Sequence, residues 1–340
     1  AVPKPPACGF PVVFMTASAQ PLMTENGLHL RPGPHTATER TPLDGAVVRL
    51  ELPCWTWFFR ILFMLVLMTF TLPIWLFVLC TDVCCGSLFR SPAARQCRGR
   101  VLGVIVSCCW RWTLRICCWI RVDASGFGEL ARAGADGRQV FICANHCSFF
   151  DIVMVGSLLP HGLVGDAKTL MTPAVLKMPI FGRLATAIGH LPVPFARPNT
   201  VDDFTVDKER MQEISAKLDA HIDAGGHVAI FPEGGLNRAD WRQLQKFRAG
   251  GLEVAIRHDM EIWGWVMTGS GDCWPSKAAV GGAPAKIRAR AVLLHRSAVA
   301  AGRALAPNAG PDDLRAQAIA LAEDLRRSMQ RSLDDLFAGN

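Results

Sequence analysis

The sequence predicts an α/β fold, with a mixed, largely parallel sheet, flanking helices and a preceding N-terminal membrane-anchoring helical segment. Three short apolar runs, at residues 138–145, 226–234 and 285–294, have the composition of strands. Apolar residues recur at helical spacing between residues 211 and 222, which predicts a helix between the first two strands. Strands that alternate with helices favour a parallel sheet. A run of twenty residues without a charge, at 61–80, predicts the anchoring segment.

These patterns divide the chain into four parts. Residues 1–53 are rich in Pro and Thr and lack a helical period, so we expect a mobile tail. Residues 54–121 contain the membrane-anchoring segment, and residues 122–296 contain the predicted strands and form a globular domain. In residues 297–340, the stretch 311–337 is amphipathic with Pro311 near its start, which predicts a C-terminal amphipathic helix.

The apolar run Ile61–Cys80 is long enough to cross a bilayer, because twenty helical residues at about 1.5 Å each span roughly 30 Å. Pro73 lies inside the run, so it would either kink a spanning helix or divide the segment into a re-entrant hairpin. We favour the span.

A second apolar segment, residues 101–120, contains Arg111 and Arg115, each of which costs about 2.5 to 3.5 kcal/mol at the centre of a spanning helix. We therefore expect an interfacial helix, with both arginines on one polar face together with Arg100 and Ser107. The alternative is a buried helix of a soluble core whose arginines reach outward to solvent.

The net charge of +7 is unevenly distributed along the chain. No acidic residue occurs between Asp82 and Asp123, and four arginines follow the apolar run: Arg90, Arg95, Arg98 and Arg100. This block predicts that the following domain faces the cytosol, by the positive-inside rule, and that it is attracted to anionic lipid headgroups. Arginines that adjoin membrane-like sequence argue against a nucleic-acid-binding protein.

Several of the thirteen cysteines occur as adjacent pairs in or beside the apolar segments: Cys84/Cys85, Cys108/Cys109 and Cys117/Cys118. We expect free thiols in a reducing compartment rather than a disulfide framework. Adjacent pairs do not match the spacing of zinc ligands, so no metal site is predicted. S-acylation of Cys84 or Cys85 stays open as an alternative use of these thiols.

His146 and Asp151 lie five positions apart, where the first predicted strand ends. On one continuous helix, positions i and i+5 point about 140° apart, so the two side chains would not meet. They meet if the strand ends at Asn145, residues 146–148 form a turn, and a helix begins near Phe149. The carboxylate would then fix the tautomer of the imidazole, and the other ring nitrogen would be a general base.

Spacing alone does not identify this pair, because His161 and Asp166 have the same separation. His161 follows a proline rather than a strand, so we predict no catalytic pair there. The end of the second predicted strand supports His146, since Glu233 and two glycines lie at that point. In α/β sheets, ligand sites gather at the carboxyl ends of strands, and glycines there let backbone N–H groups approach a phosphate.

Three short motifs follow one another along the chain. They are Asn145-His146 with Asp151, the segment DAKTL with Lys168, and FPEG at residues 231–234. Together these motifs resemble those of the glycerolipid acyltransferases, particularly the 1-acylglycerol-3-phosphate (lysophosphatidic acid) acyltransferases. The resemblance covers roughly residues 122–270, and the joint occurrence of two motifs about 85 residues apart is far more specific than either motif alone. An apolar N-terminal anchor is also typical of that family.

The resemblance implies that residues 122–296 form an acyltransferase domain, which transfers a fatty acyl group from acyl-CoA or acyl carrier protein to the free hydroxyl of lysophosphatidic acid. His146 would be the general base, and Asp151 would orient it. The residues implied in substrate binding are Asn145, Ser148, Lys168, Arg197, Phe231, Glu233, Gly234, Gly235 and Arg248. No cofactor is implied beyond the acyl-donor co-substrate. The implied partners are membrane lipids and the two substrates, at the endoplasmic reticulum or another intracellular membrane.

Three departures from the family pattern concern the acceptor. Residues 235–238, GLNR, stand where the family often has Thr-Arg-Ser. The interval from Gly189 to Arg197 is longer than the family's, and the late apolar block at 260–270 lacks the frequent proline. Glycerol-3-phosphate and other lysophospholipids therefore stay open as acceptors. The alternative of a different class is a non-catalytic membrane lipid-binding protein on the same fold.

Overall fold

The computed structural model describes residues 55–86, 89, 91–194, 206–238, 240–310 and 312–339, and the predicted tail at residues 1–53 lies outside them. The helices of this part of the chain are α1 (Thr56–Cys85), α2 (Pro92–Ile116), α3 (Phe127–Leu130), α4 (Phe150–Leu158), α5 (His161–Val164), α6 (Pro173–Leu176), α7 (Phe181–Ile188), α8 (Lys208–Asp223), α9 (Gly250–Arg257), α10 (Ser270–Cys273), α11 (Ala298–Leu305) and α12 (Leu314–Ala338). Its strands are β1 (Ile120–Ser125), β2 (Val140–Ala144), β3 (Ala167–Lys168), β4 (Leu170–Met171), β5 (Leu191–Pro192), β6 (His227–Ile230), β7 (Glu261–Thr268) and β8 (Ala285–His295).

The main sheet has the strand order β1-β8-β7-β2-β6-β3, and β4 pairs with β5 in a separate two-stranded sheet. Within the main sheet β7 and β8 are antiparallel, and the other neighbouring strands are parallel. The sheet is therefore mixed and mostly parallel, with helices around it. This confirms the fold class predicted from the alternation of strands and helices.

The main sheet is covered by helices on both faces, which explains why its central strands are continuous apolar runs. Along β2 every residue is buried, and Val140 and Ile142 pack in one core with residues of α1, α2 and α4. Phe141 packs in the other core, with residues of α8, α9 and α12. Strand β7 is also buried along its whole length. It occupies the late apolar block that the sequence analysis did not assign to a strand.

Helix α1 is long and apolar enough to cross a membrane, by length and composition, and it continues through Pro73 without forming a hairpin. The side that faces the domain buries Phe63, Leu67, Ile74 and Val78. The opposite side exposes Trp57, Phe58, Ile61, Leu65, Leu72, Leu76 and Phe77. Both ends of α1 are tied to other parts of the protein. Arg60 donates to the Val280 carbonyl at 2.9 Å, and Asp82 pairs with Arg98 of α2 at 2.6 Å.

The second apolar segment forms α2, and two arginines of its predicted polar face contact the rest of the domain. Arg100 pairs with Asp166 at 2.6 Å, and Arg111 donates to the Leu159 carbonyl at 2.6 Å. Both arginines therefore have acceptors on the domain, and the Arg100 side chain is also 53% exposed. The outward face of α2 is apolar and exposes Val101, Ile105, Trp112 and Ile116.

In the C-terminal part, the amphipathic pattern predicted from residue 311 onward forms α12, and a further helix, α11, precedes it. Helix α11 ends before a segment with Pro307 and Gly310, and α12 begins after Asp313, whose side chain accepts the Ala316 N–H at its start. Helix α12 buries Leu321, Leu325, Met329 and Leu333 in the core beneath the sheet. This helix is therefore part of the globular fold.

Candidate active site

The two predicted motifs meet because β2 and β6 are adjacent parallel strands, with Cys143 beside Ile230. Both strands leave the sheet at the same edge, so the turn after β2 carries His146 and the turn after β6 carries Glu233. The His146 N–H donates to Glu233 Oε1 at 3.0 Å. This hydrogen bond joins two turns that are 87 residues apart in the chain.

Asp151 lies in the first turn of α4, and its Oδ2 is 3.0 Å from His146 Nδ1. The strand–turn–helix geometry expected from the sequence therefore brings the pair together. The same Oδ2 accepts the N–H groups of Cys147 at 2.8 Å and Ser148 at 2.9 Å. Asp151 is fully buried, and its Oδ1 has no hydrogen-bond partner among the described residues. A single carboxylate oxygen thus fixes both the start of α4 and the orientation of the imidazole.

Both the ring and the backbone of His146 have fixed contacts. Phe231 stacks on it, with 4.0 Å between ring centroids and 16° between ring planes. The His146 carbonyl accepts the Asn237 N–H at 2.7 Å, which fixes the backbone beneath the ring. Since Nδ1 faces Asp151, Nε2 is the nitrogen that can take a proton from a substrate. The side chain is 13% exposed, so part of the ring is open to solvent.

Glu233 is buried, and both of its carboxylate oxygens accept backbone N–H groups. Oε1 accepts from His146, and Oε2 accepts from Gln245 at 2.9 Å. Burial raises the pKa of Glu233, and these two hydrogen bonds oppose that rise because they favour the charged form. The carboxylate therefore braces the catalytic turn against the loop that precedes α9.

The structure places Asn145 and Ser148 differently from simple substrate ligands. The Asn145 side chain exchanges two hydrogen bonds with the Met267 backbone, at 3.0 and 2.8 Å, which ties the end of β2 to β7. Ser148 Oγ donates to the Trp274 carbonyl at 2.6 Å. Both side chains are buried, so their polar atoms hold the catalytic turn. Gly235 is partly exposed in the turn after β6.

The three cations implied in phosphate binding have different surroundings. Lys168 is buried at the end of β3, and its ammonium donates to the Ile188 carbonyl. Arg248 is exposed and lies across Gly234, where an added Cβ would come within 2.2 Å of Arg248 Nε. Gly234 also has a φ of 78°, which favours glycine. Arg197 lies outside the described residues.

We expect Lys168→Met to raise the free energy of unfolding at pH 7. Burial lowers the pKa of Lys168 from 10.5 to about 8, so the folded state disfavours the charge. The charged ammonium therefore lowers the free energy of unfolding of the wild type. This loss of stability is fully present below pH 8 and disappears as the pH rises to 10.5. After the lost hydrogen bond to Ile188 is subtracted, the gain is about 1 to 2 kcal/mol. Denaturant unfolding in detergent at pH 7 and pH 10 measures it, and a variant less stable at both pH values would contradict this prediction.

Cys147 lies next to His146 but has the surroundings of an inert thiol. Its Sγ is buried 3.3 Å from Ser270 Oγ. Burial raises the pKa of the Cys147 thiol, and the charge of Asp151 adds to the rise. A thiolate nucleophile is therefore disfavoured at this position.

The second histidine–aspartate pair of equal spacing does not form a catalytic contact. His161 Nε2 lies 3.6 Å from Cys108 Sγ, and Asp166 pairs with Arg100. His161 is the first residue of α5. Its ring and the Asp166 carboxylate therefore have different contact partners, Cys108 and Arg100. The context of His146, and not its spacing from an aspartate, distinguishes the histidine that contacts its aspartate.

Two residues that the sequence analysis did not single out complete the site. Asn237 donates its backbone N–H to His146, and its side-chain Oδ1 accepts from Gln245 Nε2 at 3.1 Å. Gln245 donates its backbone N–H to Glu233. A hydrogen bond from a backbone N–H does not depend on the type of side chain, so the sequence does not reveal it. The only hint in the sequence was the departure of GLNR from the family pattern.

Comparison with known proteins gives a matching family model and a similar fold. Residues 128–268 match the family model described as Acyltransferase. The fold is similar to the crystal structure of the 1-acyl-sn-glycerophosphate (LPA) acyltransferase PlsC from Thermotoga maritima, with a TM-score of 0.52 and 15% identity. That match covers 83% of this chain and 98% of the other. A comparison with curated proteins gave no match.

Residues 128–268 therefore resemble an acyltransferase domain, and the match supports a protein similar to the acyltransferases. Within that class it resembles the glycerolipid acyltransferases, and among those the lysophosphatidic acid acyltransferases. The matched range lies inside the acyltransferase domain expected at residues 122–296.

Proposed function

We propose that the protein transfers a fatty acyl group from acyl-CoA, or from acyl carrier protein, to the free hydroxyl of lysophosphatidic acid, giving phosphatidic acid. The observation that carries this proposal is the 3.0 Å contact between His146 Nδ1 and the buried Asp151 carboxylate. It leaves Nε2 as a general base beside the two strand ends where α/β folds bind their ligands.

In the proposed reaction, His146 Nε2 takes the proton of the acceptor hydroxyl while the hydroxyl oxygen attacks the thioester carbonyl carbon. Asp151 stabilises the imidazolium that forms. The tetrahedral intermediate then collapses, the carbon–sulfur bond breaks, and the imidazolium returns its proton to the departing thiolate. The products are an ester and a free thiol, and His146 is again neutral. Every proton in this scheme moves through one ring nitrogen.

We assign recognition of the acceptor phosphate to Arg197, with Arg248 and Lys168 as further candidates. Arg248 lies across Gly234, directly beside the turn that Glu233 braces. A guanidinium can grip a phosphate with two parallel hydrogen bonds, whereas an ammonium acts as a point charge. This difference favours the arginines as the groups that select a phosphomonoester.

Arg197→Ala is expected to raise the acceptor KM much more than the donor KM. A charge-assisted contact is worth about 1.5 to 3 kcal/mol, so the acceptor kcat/KM should fall roughly tenfold to a hundredfold. Arg197→Lys should recover only part of the loss. Arg210→Ala is the matched control, because Arg210 is 76% exposed on α8. Equal losses for both substrates would exclude a phosphate ligand at Arg197.

We propose that the outward apolar faces of α1 and α2 hold the protein on an intracellular membrane such as the endoplasmic reticulum, with the domain on the cytosolic side. One side of α1 is covered by the domain, so the opposite side is the one that can contact lipid. Protease treatment of sealed microsomes tests the orientation. A C-terminal domain that survives added protease would contradict the cytosolic assignment.

An acceptor panel with purified protein tests the substrate assignment. Lysophosphatidic acid, glycerol-3-phosphate and a lysophospholipid with a headgroup would each be offered with the same acyl-CoA. We expect the highest kcat/KM for lysophosphatidic acid, because only that acceptor has both an apolar chain and a phosphomonoester. A preference for a phosphate-free or headgroup-bearing acceptor would overturn the lysophosphatidic acid assignment.

A further inference from the structure

We propose that Gln330, on the C-terminal helix α12, is a positioning residue for the acceptor side of the active site. It holds the loop of residues 237–248, which runs from the turn after β6 to the start of α9. This inference rests on the proposed function, because it assigns Gln330 an effect on acceptor binding through Glu233 and Arg248.

Gln330 is bonded to the loop in both directions. Its Oε1 accepts the Leu244 N–H at 2.8 Å, and its Nε2 donates to the Arg242 carbonyl at 2.8 Å. The same Nε2 also donates to Asp334 Oδ1, one helical turn further along α12, at 2.8 Å. Asp334 therefore fixes the orientation of the amide, so that its oxygen faces Leu244.

The residue after Leu244 connects this contact to the catalytic turn. Gln245 donates its N–H to Glu233 Oε2, and Glu233 Oε1 accepts the His146 N–H. Three residues later, Arg248 donates its own N–H to the Pro232 carbonyl at 2.8 Å, beside the glycine that its side chain crosses. A displacement of the Leu244 backbone would therefore reach Glu233 and Arg248 together.

Two side chains of the loop, Trp241 and Arg242, also contact the Phe337 ring of α12, and the Leu244 side chain is buried in the core that α12 shares. An open surface cavity of about 370 Å³ lies between the loop and α12, lined by Asp240, Arg242, Gln243, Leu244, Arg326, Gln330 and Asp334. On the far side of the loop, Asn237 Nδ2 donates to the Asp240 and Gln243 carbonyls at 2.9 and 2.7 Å. Among the described residues, the hydrogen bonds of Asn237 hold the inner side of the loop, and those of Gln330 fix its Arg242 and Leu244 backbone groups on the helix side.

The test is Gln330→Ala in the full-length protein, with steady-state kinetics for both substrates and amide hydrogen exchange. The acceptor kcat/KM should fall about threefold to tenfold, since one or two hydrogen bonds are lost, while the donor KM stays unchanged. Exchange should quicken at residues 242–247 and remain as in wild type at Cys147 and Ser148, whose N–H groups donate to Asp151. Arg331→Ala is the control, because Arg331 is exposed on the same helix and contacts Ser328.

A compensating variant separates positioning from general loss of structure. Gln330→Glu with Asp334→Asn exchanges the amide and the carboxylate, conserves net charge, and restores an acceptor for the Leu244 N–H. It should recover part of the acceptor kcat/KM, because a carboxylate accepts the Leu244 N–H but cannot donate to the Arg242 carbonyl. Unchanged kinetics and exchange in Gln330→Ala would overturn the inference, as would a parallel fall for both substrates that the double variant does not recover. If wild-type protein transferred no acyl group, the proposed function would fail, while the exchange data would still decide whether Gln330 holds the loop.

Discussion

His146→Ala is expected to lower acyl transfer by about 10²- to 10⁴-fold, because the variant has no base for the acceptor hydroxyl. Folding should be preserved, since the His146 backbone contacts to Glu233 and Asn237 do not involve the ring. The measurement is release of free thiol from acyl-CoA at matched protein concentration, with circular dichroism to verify the fold.

His161→Ala is the matched control for that experiment, since His161 has an aspartate at the same spacing but contacts Cys108 instead. It should retain most of the activity. Comparable losses in the two variants would remove the basis for assigning His146 as the base.

Asp151→Asn should lower kcat by about 10³- to 10⁴-fold with a small effect on substrate binding. The geometry makes this a clean removal of charge. The hydrogen bonds that Asp151 accepts converge on Oδ2, so the asparagine oxygen can take that position and still accept the N–H groups of Cys147 and Ser148. The start of α4 should therefore survive, while the imidazolium loses its stabilising anion.

Asp151→Ala is the contrasting variant. It removes the acceptor of the two backbone N–H groups as well as the charge, so it should also lower the melting temperature. If Asp151→Asn kept wild-type kcat, imidazolium stabilisation by Asp151 would be excluded, and the proposed mechanism would lose its second catalytic group.

The sequence predicted those parts of the site that depend on strand ends and turn geometry. The runs at 138–145 and 226–234 contain β2 and β6, and the histidine–aspartate contact follows from ending one strand just before a helix. Strand β7 was not predicted because it is buried along its whole length. A continuous apolar run does not distinguish a strand from a buried helix.

The sequence patterns did not predict contacts between residues that are far apart in the chain. The orientation of α2 depends on Asp166 and the Leu159 carbonyl, which accept from its arginines across the fold. Glu233 was expected to help place the acceptor, yet both its oxygens accept backbone N–H groups, which no side-chain motif encodes. Gln330 lies about a hundred residues from the turn it supports through Leu244 and Gln245.

The most direct test of the central claim is to incubate purified wild-type protein with acyl-CoA and lysophosphatidic acid, and to follow thiol release and lipid products together. The account predicts that free CoA and phosphatidic acid appear in equal amounts, that both depend on the acceptor, and that Asp151→Asn slows both alike. Binding of both lipids without release of thiol would contradict it, and would favour a non-catalytic lipid-binding protein built on the same fold.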